Sequence, residues 1–255
     1  MKLLTCRALF LLAFCATALG QEPVPLAQGN TPGEPHHHLK IENEYVRVYY
    51  VEVPPHENTL LHQHDHDYIY VSLGPSDVVN AILDKPEIHL QLKDGETHFT
   101  RGGFAHVARN LADTPFRNVT IELLHPQEDV RNLCERIVEG ELGDCNPSDN
   151  KWTSGKPYFR SAEMAVSVWV LKPKAELIVS PTLDHLLVAM DQAEIQVSFP
   201  DPRLGPRFPH GVMKLHPGEM LWLPGDRLEA IKNLRTQPSS YLFIPFKNSG
   251  SEKKR

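Results

Sequence analysis

GETHFTRGGFAHVARN (residues 95–110) and GEMLWLPGDRLEAIKN (residues 218–233) read as one pattern written twice, at an offset of 123 residues. Each starts on a glycine and ends on an asparagine. Working outward, Asp67-Tyr68-Ile69-Tyr70-Val71 matches Asp184-His185-Leu186-Leu187-Val188 at an offset of 117. Six extra residues in the Pro-rich loop near 200–211 account for the difference. Further upstream, Val46 to Val53 runs into Pro54-Pro55, as Val166 to Leu171 runs into Lys172-Pro173. A repeat of this length with one compensating loop indicates a duplicated domain.

The repeated unit is made of strands. Val46, Val48 and Tyr50 alternate with Arg47, Tyr49 and Val51, and Ile88, Leu90 and Leu92 with Glu87, His89 and Gln91. Val119, Ile121 and Leu123 alternate with Asn118, Thr120 and Glu122. Further short strands are expected at 68–73, 77–83, 165–171, 185–190, 194–199 and 240–246, separated by Gly, Pro and Asp turns. Many short strands of this kind make an all-β sandwich or barrel. Helical spacing occurs once, in Val130, Leu133, Cys134, Ile137 and Val138, with Gly140 as a stop. A short connecting helix near 129–140 is therefore expected between the two sets of strands.

Two histidines two places apart on a strand, His62 and His64, project to the same side and can share one metal. His106 is a third donor. A fourth ligand is expected just after the His pair, where Asp67 and Tyr68 stand; either of them, or water, would complete the set. His66 reads as an outer or surface residue. In the second unit Val179, Pro181 and Glu229 occupy the places of His62, His64 and His106, while Pro224 and Asn233 persist. The frame is kept and the ligands are gone, which leaves the second unit a structural, dimer-forming or pocket-covering role.

These residues resemble the cupin superfamily, whose first motif places a His-x-His pair before an acidic ligand. Its second motif has glycine, Pro-x-Gly, His and Asn at fixed spacings. The second motif is matched at every spacing in residues 95–110, with Arg101 where proline is usual. The first is matched in His62 and His64 but not cleanly afterwards. The likeness covers residues 40–125 well and 160–247 in outline. It implies two tandem jelly-roll β-barrels, a bicupin, with the metal motif intact only in the N-terminal one. It also implies one divalent transition metal (Fe, Mn, Ni or Zn) on His62, His64 and His106, with Asp67 favoured as the fourth ligand, and with Tyr68 and Arg101 orienting a substrate. Cupins include oxygenases, isomerases, lyases and plain binding proteins, and the fold does not choose among them.

The remaining sequence sets the surroundings. Lys2 and Arg7 precede an apolar run to Ala18, and Ala18-Leu19-Gly20 offers a small-x-small cleavage site, so residues 1–20 read as a signal peptide. A periplasmic or secreted protein, not membrane-bound after processing, is expected. Two cysteines then remain, Cys134 and Cys145, a natural disulfide in an oxidising compartment. Residues 21–38, rich in Pro, Gly and Gln and ending in His36, His37 and His38, read as an extended polar arm, the alternative being that the three histidines bind a soft metal adventitiously. The expected domains are 39–128 and 161–248, joined by a helical linker over 129–160 and followed by a solvated tail, 249–255. A net charge of −6 from 26 basic and 32 acidic residues, without a Lys/Arg run in the folded part, argues against a nucleic-acid partner. A small-molecule ligand and a homodimer are the partners expected.

Overall fold

The computed structural model describes residues 26–133, 156–180, 182–198, 211–225 and 230–247. The leader, both cysteines of the expected disulfide, most of the linker and the tail lie outside them. The first unit runs β1 (Leu26–Asn30), β2 (His37–Glu42), β3 (Val46–Val53), β4 (Leu61–His64), β5 (Tyr68–Ser72), β6 (Ser76–Ile82), β7 (Ile88–Leu92), β8 (Thr97–Thr100), β9 (Phe104–Asn110) and β10 (Phe116–Leu123). These strands form two five-stranded sheets, β1-β4-β9-β6-β7 and β2-β3-β10-β5-β8. The second unit repeats the plan with β11 (Arg131–Asn132), β12 (Lys156–Arg160), β13 (Ala165–Leu171), β14 (Glu176–Ile178), β15 (Asp184–Ala189), β16 (Ala193–Ser198), β17 (Gly211–Leu215), β18 (Met220–Leu223), β19 (Ala230–Asn233) and β20 (Ser239–Phe246). Its sheets are β11-β12-β13-β20-β15-β18 and β14-β19-β16-β17. The chain is two β-barrels in tandem.

Two expectations change. Among the described residues of the linker, 129–133, there is no helix: Asp129 has a positive φ of 52°, and β11 pairs with β12 through Arg131↔Arg160 and Asn132↔Phe159. The helical spacing near 130 coincides with a sheet edge that supplies backbone partners, and tertiary pairing overrides so short a periodicity. The rest of the spacing lies outside the described residues. Residues 26–38 are also more than an arm. β1 runs parallel to β4, a 3-10 turn follows at Thr31–Gly33, and β2 begins at His37 in antiparallel register with β3.

The barrels pack sheet against sheet. From the first, Val46, Val48, Ile69, Val71, Val119, Ile121 and Leu123 meet Val166, Val168, Leu186, Val188, Leu242 and Ile244 of the second in one buried cluster. Trp222 stacks on Tyr45 at 5.7 Å. This packing gives the alternation in β5 and β10 its sense. Their apolar residues face out of the first barrel, onto the second, while Tyr68, Tyr70, Asn118 and Thr120 face its interior. Gly218, at φ 85°, lies where the barrels approach closely: a Cβ there would come within 2.6 Å of Leu73 and 2.9 Å of Tyr50.

Three repeated devices hold both barrels. Asn110 Nδ2 donates to the carbonyls of Val53, Pro54 and Thr114, and Asn233 Nδ2 to those of Leu171, Lys172 and Gln237. Asp67 accepts the Gly102 N–H at 3.0 Å, and Asp184 accepts the Gly225 N–H at 2.9 Å. His56 and Lys174 both carry positive φ, 59° and 63°, at matching turns. The first two devices supply side-chain partners to backbone groups at the turns.

Candidate metal centre

Strand register assembles the histidines. His62 on β4 lies opposite His106 on β9, and paired residues share a face. His64, two residues on, shares it too. From the opposing sheet, His37 is registered against Val51, whose side chain packs inside the first barrel. His37 therefore points inward, while its neighbours His36 and His38 do not share that face. The rings converge: His62 lies 4.5 Å from His106, 5.0 Å from His64 and 4.8 Å from His37, centre to centre. The ligand atoms of His37, His62 and His64 all fall within 4.8 Å of one another.

Every one of these rings is oriented from behind through Nδ1. His62 Nδ1 donates to the Leu60 carbonyl at 2.9 Å, and His106 Nδ1 to Asn80 Oδ1 at 2.6 Å. His37 Nδ1 donates to Glu34 Oε2 at 2.7 Å. Thr31 Oγ1 donates to Glu122 Oε1 at 2.6 Å, so it accepts from His64 Nδ1, 3.2 Å away, with Glu122 Oε1 itself at 3.5 Å. These acceptors fix the tautomers and leave all four Nε2 atoms with a lone pair turned inward. His62 Nε2 and His106 Nε2 stand only 3.1 Å apart. Two lone pairs at that distance repel unless a cation lies between them, and imidazoles oriented by outer acceptors are the usual dress of a metal site. The donor set thus fits a divalent transition metal.

The electrostatics agree. Burial pulls all four histidines below the ordinary imidazole range, His62 to about 4, with the neighbouring imidazoles adding to the effect. They are neutral at pH 7, as ligands must be. Burial would push the Glu122 carboxyl up, but hydrogen bonds from His64 and Thr31 hold it below its ordinary value. Glu34 behaves alike: burial opposes ionisation, and His37 with the Leu60 N–H outweighs it.

The donors open on a cavity of about 60 Å³. Its lining combines the polar Tyr68, Tyr70, Asn118 and Thr120 with the apolar Val51, Val53, Leu90, Leu92 and Phe116. Tyr68 stacks on His64 at 4.2 Å. At about 10–15 Å³ per water-sized occupant, there is room for roughly four to six atoms.

Asp67 and Arg101 lie elsewhere. The Asp67 carboxylate is occupied by Arg101 Nη1 at 2.6 Å and by the Gly102 N–H. Arg101 also donates to the Gln127 carbonyl, its side chain is half exposed, and neither residue lines the cavity. Asp67 is the counterpart of Asp184, so its work in both barrels is to tie a turn. Sequence reading set His37 aside as part of a polar arm and missed Thr31, Glu34, Asn80 and Glu122. The available signal was the histidine run just before a strand, but which of the three turns inward depends on register with β3. In the second barrel, Leu177, Leu187, Ile195, Leu223, Ile231 and Tyr241 pack together, and Val179, in the place of His62, packs with them. Pro181 and Glu229 lie outside the described residues.

No family model matches the sequence, and no curated protein matches it. Solved structures do. A cupin 2 conserved barrel domain protein from Leptotrichia buccalis is 10% identical with a TM-score of 0.54, covering 83% of this chain and 88% of that one. Salicylate 1,2-dioxygenase from Pseudoaminobacter salicylatoxidans, in complex with gentisate, is 12% identical with a TM-score of 0.56, covering 88% and 76%. Oxalate decarboxylase from Bacillus subtilis is 13% identical with a TM-score of 0.52, covering 80% and 68%.

Proposed function

For a chain with the cupin fold in two tandem barrels, we propose that the first barrel is a metal-dependent active site for a small oxygenated organic molecule. The reaction class is oxygenase or isomerase/lyase, and the setting is extracytoplasmic, periplasmic or secreted, as residues 1–20 suggest. The observation that carries the reading is the cluster of buried imidazoles: the ligand atoms of His37, His62 and His64 lie within 4.8 Å of one another, and His106 Nε2 stands 3.1 Å from His62 Nε2. A divalent metal held there supplies Lewis acidity or a platform for dioxygen. The fold shared with a dioxygenase and a decarboxylase is compatible with either chemistry.

The chain's own groups set the rest. The apolar lining of Val51, Val53, Leu90, Leu92 and Phe116 excludes water and accepts hydrocarbon. Asn118 and Thr120 offer hydrogen bonds to substrate oxygens, and the Tyr68 phenol is placed to hand over or take up a proton at the cavity wall. This reading gives Arg101 no part as substrate clamp, because it pairs with Asp67 and is not among the residues lining the cavity. The small cavity volume favours a second reading, a non-catalytic module that binds the metal with a ligand of only a few atoms.

Elemental analysis of the mature, untagged chain tests the proposal beside a His62→Ala/His106→Ala double variant. About one transition metal per chain, absent from the variant, is the expected result. Equal metal content in both, or none in wild type after loading, sinks it. Turnover of small keto acids or phenols by the loaded protein separates the enzyme from the binding module.

A further inference from the structure

We propose that His37 is itself a ligand of this metal, so that the centre is an all-imidazole, electrically neutral set completed by the segment from Thr31 to Glu42, and that it takes a small anion as its external ligand. The inference rests on the metal reading above and deepens it. His37 reaches the site from the sheet opposite the other three histidines, and its donor atom falls within 4.8 Å of those of His62 and His64. Its side chain is almost fully buried. Its Nδ1 is bound to the Glu34 carboxylate, which also accepts the N–H groups of Leu60 and His36. With Nδ1 held there, the ring turns its Nε2 side to the cavity that His37 lines.

The carboxylates nearby stand behind the imidazoles. Asp67 is tied to Arg101 and Gly102, Glu34 backs His37, and Glu122 backs His64 through Thr31 and directly. None of them lines the cavity, and among the described residues no Lys or Arg does either. A divalent ion there meets the Glu34 and Glu122 carboxylates only through the rings they back, so among the described residues it is the one positive charge facing the cavity. The complementary ligand is a compact monoanion, a carboxylate or enolate of few atoms. One short segment joins all of this, because Thr31 holds Glu122 and His64 while Glu34 holds His37 and the Leu60 N–H.

Full-length wild type, His37→Ala and Glu34→Gln loaded with cobalt(II) test the inference by visible absorption and by titrated affinity, with near-UV circular dichroism as the check on folding. Removal of His37 should weaken cobalt binding by about 100-fold or more and change the spectrum, and added imidazole should restore it. Glu34→Gln, which keeps the packing, should weaken binding by about 10- to 100-fold. Copper(II)-loaded wild type needs no variant: its nitrogen hyperfine pattern should report four imidazoles. Formate or azide should shift the cobalt spectrum of wild type. Unchanged affinity and spectrum in folded His37→Ala, or a three-nitrogen copper signal, overturns His37 as a ligand. A cobalt spectrum indifferent to formate and azide overturns the anion. Wild type that takes up no metal overturns the underlying reading instead.

Discussion

The two barrels share a frame and differ in what they enclose. Asn110 and Asn233 staple the same three carbonyls' worth of turn, and Asp67 and Asp184 hold the same glycine N–H. Inside, the first barrel gathers four histidines, tyrosines and asparagines around a cavity, whereas the second packs leucine, isoleucine and tyrosine against one another. Frame and contents are separable because the frame satisfies backbone groups in turns. Those needs are the same whether the interior is wet or dry. Persistence of the frame therefore says nothing about chemistry, and Asp67 illustrates the point: a carboxylate beside a His pair is in fact a turn residue.

The largest expected contrast is in metal content. His62→Ala/His106→Ala should abolish it while the chain stays folded, since the buried contact between the barrels is untouched; atomic emission and circular dichroism measure both. Val179→His, which restores one ligand position in the second barrel, should add no second ion.

Next comes the frame itself. Asn110→Ala and Asn233→Ala each strip three carbonyls of a buried donor, and each should cost about 2–4 kcal/mol in urea unfolding. Similar losses at the two sites would support the idea that the frame is indifferent to its contents. A loss confined to Asn110 would break it.

Acid sharpens the comparison further. His185, buried in the dry barrel against Phe243, is pulled by burial from 6.5 to about 4. The folded state therefore keeps it neutral while the unfolded chain takes up a proton below pH 6.5. Its contribution is absent well above that pH and becomes a growing destabilisation as pH falls toward 4, about 1.4 kcal/mol at pH 5.5 and about 3 kcal/mol at pH 4. His185→Leu should remove that increment, read as the difference between the metal-free variant and metal-free wild type in melts at pH 7.5 and 5.5. An unchanged pH slope would place the acid sensitivity in the first barrel's histidines instead. The smallest effect is expected for Arg101→Ala: under about 1 kcal/mol, because the pair with Asp67 is half exposed, and no change in metal content.

The offsets of 117 and 123 residues and the strand alternation determined the all-β duplicated fold, and the spacing of His62, His64 and His106 marked which unit carries the donors. Those features are local, written in period-two patterns and in turn residues that a chain displays before it folds. The tertiary structure decided the rest. Alternation in β5 and β10 defines two faces without saying which one looks into the barrel, and the packing of the second barrel turned the apolar face outward. Of three consecutive histidines only His37 entered the site, because pairing with Val51 fixed its side. The partners behind the imidazoles, Thr31, Glu34, Asn80 and Glu122, are brought together only by closure of the barrel; Thr31 and Glu122 alone are 91 residues apart in the chain, and no local spacing encodes such a meeting.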